Sequence, residues 1–135
     1  MIVLQPTPFG CAAAVVAMIT GDDIELVFAA IGHRCETRGM RFLEIVSYLA
    51  SRGLHIGAYS GCRKPDRMIR FKWSRGIPAY LVVASQSGAG AHAVYWDGRR
   101  VLDPEQANAG RELADYTVLE WWPILIIEDT EIVQG

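Results

Sequence analysis

The sequence predicts an α+β domain, with helices in its N-terminal half and an antiparallel sheet in its C-terminal half. Three observations carry this. Residues 12–19 are a wholly apolar, alanine-rich run; alanine is the best helix former, and a helix apolar all round is a buried one. Residues 40–52 place Phe42, Ile45, Val46 and Leu49 at i, i+3, i+4 and i+7, the stripe of an amphipathic helix. Asp97-Gly98 lies between two alternating runs, the strongest short-range signal for a β-hairpin. Helices first and strands later is the α+β order.

The elements follow in turn. Pro6 and Pro8 cannot lie inside a helix, so the first helix begins at Gly10 or Cys11. Thr20-Gly21 ends it, with Gly21 as the left-handed cap. Asp22 and Glu25 have capping-box spacing, with Asp22 as the cap of a helix over residues 24–31 that Gly32 closes. Residues 33–39 are polar and read as loop. The helix over residues 40–52 turns Arg41, Glu44, Ser47 and Ser51 outward and stops at Gly53. Residues 54–59 read as a strand broken by Ser60-Gly61. Residues 62–75 are basic and irregular, and residues 78–84 are the nearly continuous apolar run of a central strand. The Gly-rich stretch 85–91 is loop. The hairpin spans residues 92–103, and residues 123–127 supply another strand.

A chain of 135 residues is one domain by size, and it can bury enough surface to fold without staples. With 51% hydrophobic and 21% charged residues it is an ordinary globular composition. A net charge of -2 argues against a nucleic-acid partner. The basic residues at 62–75 read as a solvated helix or loop rather than a nucleic-acid patch, because the chain as a whole is not basic. Three cysteines leave at least one unpaired, which points to a reducing, cytoplasmic setting or to a working thiol. No stretch is long enough to span a membrane. The segment before Cys11 is too short, too proline-rich and too poor in basic residues for a signal peptide.

Cys11 stands where a Pro- and Gly-containing loop meets the buried helix. The first turn of a helix offers unpaired N–H groups and the positive end of the dipole. Both favour the thiolate, which is the nucleophile. The stretch taken alone serves equally well as a small apolar packing residue. The hairpin adds a second clue. A two-residue Asp97-Gly98 loop pairs Trp96 with Arg99 and, stepping outward, His92 with Asp103. Opposed residues share a face, with Cβ atoms roughly 4.5–5.5 Å apart, so an imidazole–carboxylate contact follows from that register. A bulged loop would shift the pairing and separate the two. A His and an Asp at the open end of a hairpin can be no more than a surface pair. With Cys11 they become a nucleophile, a base and a group that orients the base.

These residues resemble the papain-like cysteine peptidases, and most of all the C39-like group, which includes the processing domains of peptide exporters. The resemblance rests on Gln5 six positions before Cys11, on the small apolar run from Ala12 to Gly21, on His92-Ala93-Val94 opening a strand, and on Asp103-Pro104. It implies a papain-like fold with a central buried helix carrying Cys11. It also implies a peptide or protein substrate and amide hydrolysis through an acyl-thioenzyme. Cys11 would be the nucleophile, His92 the general base and acid, and Asp103 the group that orients His92. Gln5, with the backbone N–H of Cys11, would form the oxyanion hole. A binding module that keeps the fold without catalysis, and an acyltransferase using the same triad, are the alternatives. The chain departs from the group in having Gly10-Cys11-Ala12 where Asp-Cys-Gly is common, and only four residues precede Gln5, so no propeptide or transporter region is expected.

No cofactor or metal is expected. His33, Cys35 and Cys62 lack the paired spacing of a structural zinc site. His55, between Leu54 and Ile56, reads as a structural histidine in a strand. Trp121-Trp122 reads as core or edge packing before it reads as the lining of a substrate groove.

Overall fold

The computed structural model describes residues 2–57, 76–85 and 90–126. The basic stretch at 62–75 with Cys62, the end of the strand placed at 54–59, the loop tip 86–89 and residue 127 fall outside them. The first helix, α1, spans Cys11–Thr20 and buries Ala12 through Ala17. Gly21 closes it with φ 77°, in the left-handed region the cap requires. The second, α2, spans Ile24–Ile31, and the third, α3, Phe42–Ser51. Among the described residues five strands follow: β1 Leu54–Ile56, β2 Ala79–Ala84, β3 Ala91–Trp96, β4 Val101–Leu102 and β5 Val118–Ile126. They form one antiparallel sheet in the order β1-β5-β2-β3-β4. The helices cover one face of it, burying Tyr80, Ala93, Trp122 and Ile124 against Val15, Val16, Phe28 and Leu49. The other face buries Leu81, Val83, Val94, Trp96, Val118 and Trp121 under Leu113 and Tyr116. The sheet is thus apolar on both sides, which explains why β2 reads as a continuous apolar run rather than an alternating one.

Several expectations are corrected. The cap of α2 is Asp23, whose carboxylate accepts from the Glu25 N–H at 2.9 Å. Asp22 instead accepts from the Tyr48 hydroxyl and the Arg52 Nε, each at 2.6 Å, and ties the α1–α2 turn to α3. Of two adjacent aspartates, the one directly before the first helical residue caps. On α3 the inward face is Ile45, Tyr48 and Leu49, while Phe42 is 57% exposed and meets the edge of Trp122, with ring centroids 5.1 Å apart. β5 begins at Val118, earlier than the expected start at Pro123. Proline lies inside this strand because its backbone faces Gly57, just past the end of β1, where the missing N–H costs no ladder bond. Trp121 and Trp122 are both core residues: Trp121 lies beside Trp96 and Trp122 stacks on Tyr80 at 4.8 Å.

The hairpin is wider than its sequence suggests. Trp96 pairs with Val101, not Arg99, and Tyr95 with Leu102. The physical reason is the Asp97 side chain. Its Oδ1 accepts from the N–H groups of both Arg99 and Arg100 at 2.8 Å, and its own N–H donates to the Arg100 carbonyl. Aspartate thereby draws two further residues into the loop. Gly98 takes φ 100°, and a Cβ there would lie 3.0 Å from the backbone of Gly76. Gly98→Ala should therefore lower the thermal midpoint by several degrees, corresponding to a cost of about 2 kcal/mol; a melting curve that overlays the parent's would contradict this.

Candidate active site

The turn ahead of Cys11 is built by the sequence immediately before it. The Gly10 N–H donates to the Thr7 carbonyl at 3.1 Å, and a Cβ on Gly10 would lie 2.7 Å from Thr7 Oγ1. A side chain at position 10 would have to displace the Thr7 hydroxyl, and this tight return delivers Cys11 as the first residue of α1. The extended segment carrying Gln5 is fixed from two sides. The Gln5 N–H donates to the Pro104 carbonyl at 2.9 Å, and the Phe9 N–H to the Cys35 carbonyl at 3.1 Å. The first bond joins Gln5, two residues before Thr7, directly to the residue after Asp103.

His92 and Asp103 meet although the register that suggested their contact is wrong. The observed pairing is displaced by two residues, and side chains alternate with a period of two, so both remain on one face as diagonal neighbours. His92 Nε2 lies 2.7 Å from Asp103 Oδ1. The Asp103 side chain is 3% exposed and that of His92 15%. Four donors surround the carboxylate. Oδ1 takes His92 and the Glu105 N–H at 2.8 Å; Oδ2 takes Asn108 Nδ2 at 3.0 Å and the Tyr116 hydroxyl at 2.7 Å. With Nε2 committed to Asp103, Nδ1 of His92 is left for Cys11.

The electrostatics bind the three groups into one unit. Burial raises the pKa of Cys11, but hydrogen bonding to His92, the N–H of Ala93, the charge of His92 and the N–H of Ala12 outweigh it and carry the thiol below its ordinary value. Burial disfavours a charged His92, yet Asp103 and Cys11 override it and raise its pKa from 6.5 to about 9. Burial likewise works against an ionised Asp103, and hydrogen bonds from His92, Glu105 and Tyr116 reverse it, so the carboxyl is depressed. The arrangement therefore favours thiolate, imidazolium and carboxylate together over three neutral groups. Tyr80 lies buried nearby; burial first and the Cys11 charge second hold its proton more firmly.

Gln5 stands apart from these three. Its Nε2 donates to the carbonyls of Thr7 at 3.3 Å and Pro8 at 3.4 Å, both long contacts. Its Oε1 is buried without a partner among the described residues. The other candidates separate by chemistry. His33 uses both ring nitrogens, Nε2 with Glu44 at 3.2 Å and Nδ1 as acceptor for the Cys35 N–H at 3.2 Å. Cys35 is buried, and burial, with Glu44 nearby, raises its thiol pKa. Glu44 is held down to about 2, first by Arg38 and then, against burial, by the Arg41 N–H and His33. This cluster pins the loop before α3. Among the described residues no group of three His, Cys, Asp or Glu side chains is placed to hold a metal ion, and no helix is long and apolar enough to cross a membrane. His55 is exposed on β1.

Sequence reasoning missed Asn108 and Tyr116. Asn108 follows Asp103 closely in the same loop, where an Asp-Pro turn signals a return of the chain. Tyr116 is 13 residues from Asp103 and carries no local signal.

Among the described residues, three helices packed against a five-stranded antiparallel sheet are consistent with a C39 peptidase-like fold. Among solved structures, the chain is similar in fold to the peptidase domain of Streptococcus ComA, a bifunctional ABC transporter involved in a quorum sensing pathway. The two are 14% identical, with a TM-score of 0.61 over 94% of this chain and 98% of that one. No protein-family model matches the sequence, and no curated protein matches it significantly.

Proposed function

We propose that the protein is a cysteine peptidase, or a closely related thiol amide hydrolase, acting on a peptide-like substrate. The observation that carries this reading is the 2.7 Å His92–Asp103 hydrogen bond beside a cysteine whose thiol is depressed by that same histidine. In the proposed reaction the Cys11 thiolate attacks the scissile carbonyl carbon. His92, already an imidazolium, gives its Nδ1 proton to the departing amine. The acyl-thioenzyme then forms, and water enters with its proton passing to His92, so that a carboxylic acid leaves and the thiolate returns. Asp103 holds the ring so that Nδ1 faces Cys11 throughout. The backbone N–H of Cys11, orphaned at the start of α1, supports the oxyanion. Gln5 supplies the second donor by releasing the weak Thr7 and Pro8 contacts. The likeness in fold to a peptidase domain supports a peptide substrate; cytoplasmic location and a substrate in solution remain part of the proposal.

The test is a mixture of synthetic peptides incubated with the protein, with products and covalent adducts read by mass spectrometry after acid quench. The expected result is cleavage together with an acyl adduct on Cys11, both absent from Cys11→Ala. Peptide binding without adduct or cleavage would instead indicate a binding module. Products carrying an added amine in place of water would indicate acyl transfer. Gln5→Ala should lower turnover by about 10²-fold, the usual effect of deleting one oxyanion donor, while leaving the alkylation rate of Cys11 unchanged. Equal loss in both assays would assign Gln5 to shaping the loop instead.

A further inference from the structure

We infer that Tyr116 and Asn108 are positioning residues that clamp the far oxygen of Asp103 and so keep its near oxygen aimed at His92. The inference deepens the proposed reading of the same site and rests on it. A carboxylate on a two-torsion side chain turns freely unless both oxygens are held. Here Oδ2 is held by the Tyr116 hydroxyl at 2.7 Å and by Asn108 Nδ2 at 3.0 Å. Tyr116 is 3% exposed, and its proton is retained firmly, through burial first and the adjacent Asp103 second, so toward the carboxylate it acts as the donor.

The two clamps come from different pieces of chain. Asn108 ends a 3₁₀ turn over Gln106–Asn108. Tyr116 follows another over Leu113–Asp115 and is anchored in the core beneath the sheet, with the Arg111 guanidinium 4.7 Å over its ring. The groups facing His92 are then Cys11 from α1 and Asp103 after β4, with Tyr116 and Asn108 behind Asp103. A residue that merely filled space at position 116 would not need a hydroxyl. Phenylalanine fills the same space, keeps the Arg111 stacking and leaves one lone pair of a buried carboxylate unmet.

The experiment follows the proton on His92 Nε2 by NMR and the alkylation of Cys11 by iodoacetamide at pH 6.5. In the wild-type protein a strongly downfield, slowly exchanging proton is expected below pH 9. Tyr116→Phe, and separately Asn108→Ala, should move that proton upfield, speed its exchange with water, and slow alkylation about tenfold. A tenfold loss corresponds to the thiol titrating one unit higher. Unchanged proton signals and alkylation rates in both variants, whatever happens to the melting temperature, would overturn the inference and leave the proposed function standing. A wild-type protein lacking the downfield proton would overturn both.

Discussion

Replacing His92 with alanine should turn Cys11 from a reactive thiolate into an inert thiol. Burial is the largest influence on this sulfur and acts to raise its pKa. What reverses it is chiefly the hydrogen bond and charge of His92. Without the imidazole, only the N–H groups of Ala93 and Ala12 remain to oppose burial. The thiol should then titrate at or above the free value of about 8.5, leaving on the order of 1% thiolate at pH 6.5. Iodoacetamide should consequently modify the variant more slowly than the wild type at that pH, by up to about 10²-fold, with the two rates converging in strong alkali. Cys35, buried and pushed upward, should stay unreactive in both and serves as the internal standard. The wild-type profile has a second limb. His92 loses its proton as pH rises through about 9, so turnover, which needs the imidazolium as acid, should fall there even though the thiolate persists. Equal alkylation rates in variant and wild type at pH 6.5 would remove the nucleophile from the proposed function.

The sequence carried most of the helical half, because that half is governed by local rules. Gly21 and Gly32 end their helices in the left-handed region as the spacing of apolar residues and glycines foretells. The sheet was harder. A strand buried on both faces has no alternation to read, and Pro123 disguised the first half of β5. The turn of the hairpin was misread because a dipeptide rule counts backbone types, whereas Asp97 used its side chain to recruit Arg99 and Arg100. The contact between His92 and Asp103 nevertheless survived, since an error of two in register preserves the face and an error of one would not. What no local pattern could reveal is the long-range closure of the site. Tyr116 reaches Asp103 because the segment between β4 and β5 packs beneath the sheet, and Gln5 reaches Pro104 because the N-terminal segment runs back along the strand ends. Cys11, His92 and Asp103 were thus legible as residue types in suggestive places. The shell that orients them belongs to the packing.

Asp103→Asn should be the most damaging conservative change in the molecule, and the hydrogen-bond pattern says why. All four groups around the carboxylate lend it a hydrogen. An amide offers one accepting oxygen and two hydrogens. Whichever way it is turned, its NH₂ confronts either His92 and the Glu105 N–H, or Asn108 and Tyr116. At least one buried donor loses its acceptor, at a cost of about 1–3 kcal/mol. Electrostatics add to this. Without the carboxylate charge, burial is opposed only by Cys11, and the His92 pKa should fall back toward or below its ordinary 6.5. The thiolate–imidazolium window then closes, and turnover at pH 7 should drop about 10²–10⁴-fold. The pH dependence of stability provides a readout independent of substrate. A histidine raised to about 9 in the folded state stabilises the fold in full below its unfolded value near 6.5, and that contribution disappears as pH rises through 9. Asp103 itself works in the opposite sense. Depressed in the folded state, it contributes above its unfolded value near 3.9 and loses that contribution as pH falls through its lower folded value. The depressed Cys11 thiol opposes His92 above pH 6.5, because on unfolding the imidazolium proton passes to the thiol with little net release. Denaturant unfolding of the wild type should therefore change little between pH 6.5 and the free-thiol value of about 8.5, with the Asn variant less stable throughout. A variant as stable and as reactive toward iodoacetamide as its parent would mean that the buried carboxylate is dispensable to the site it anchors.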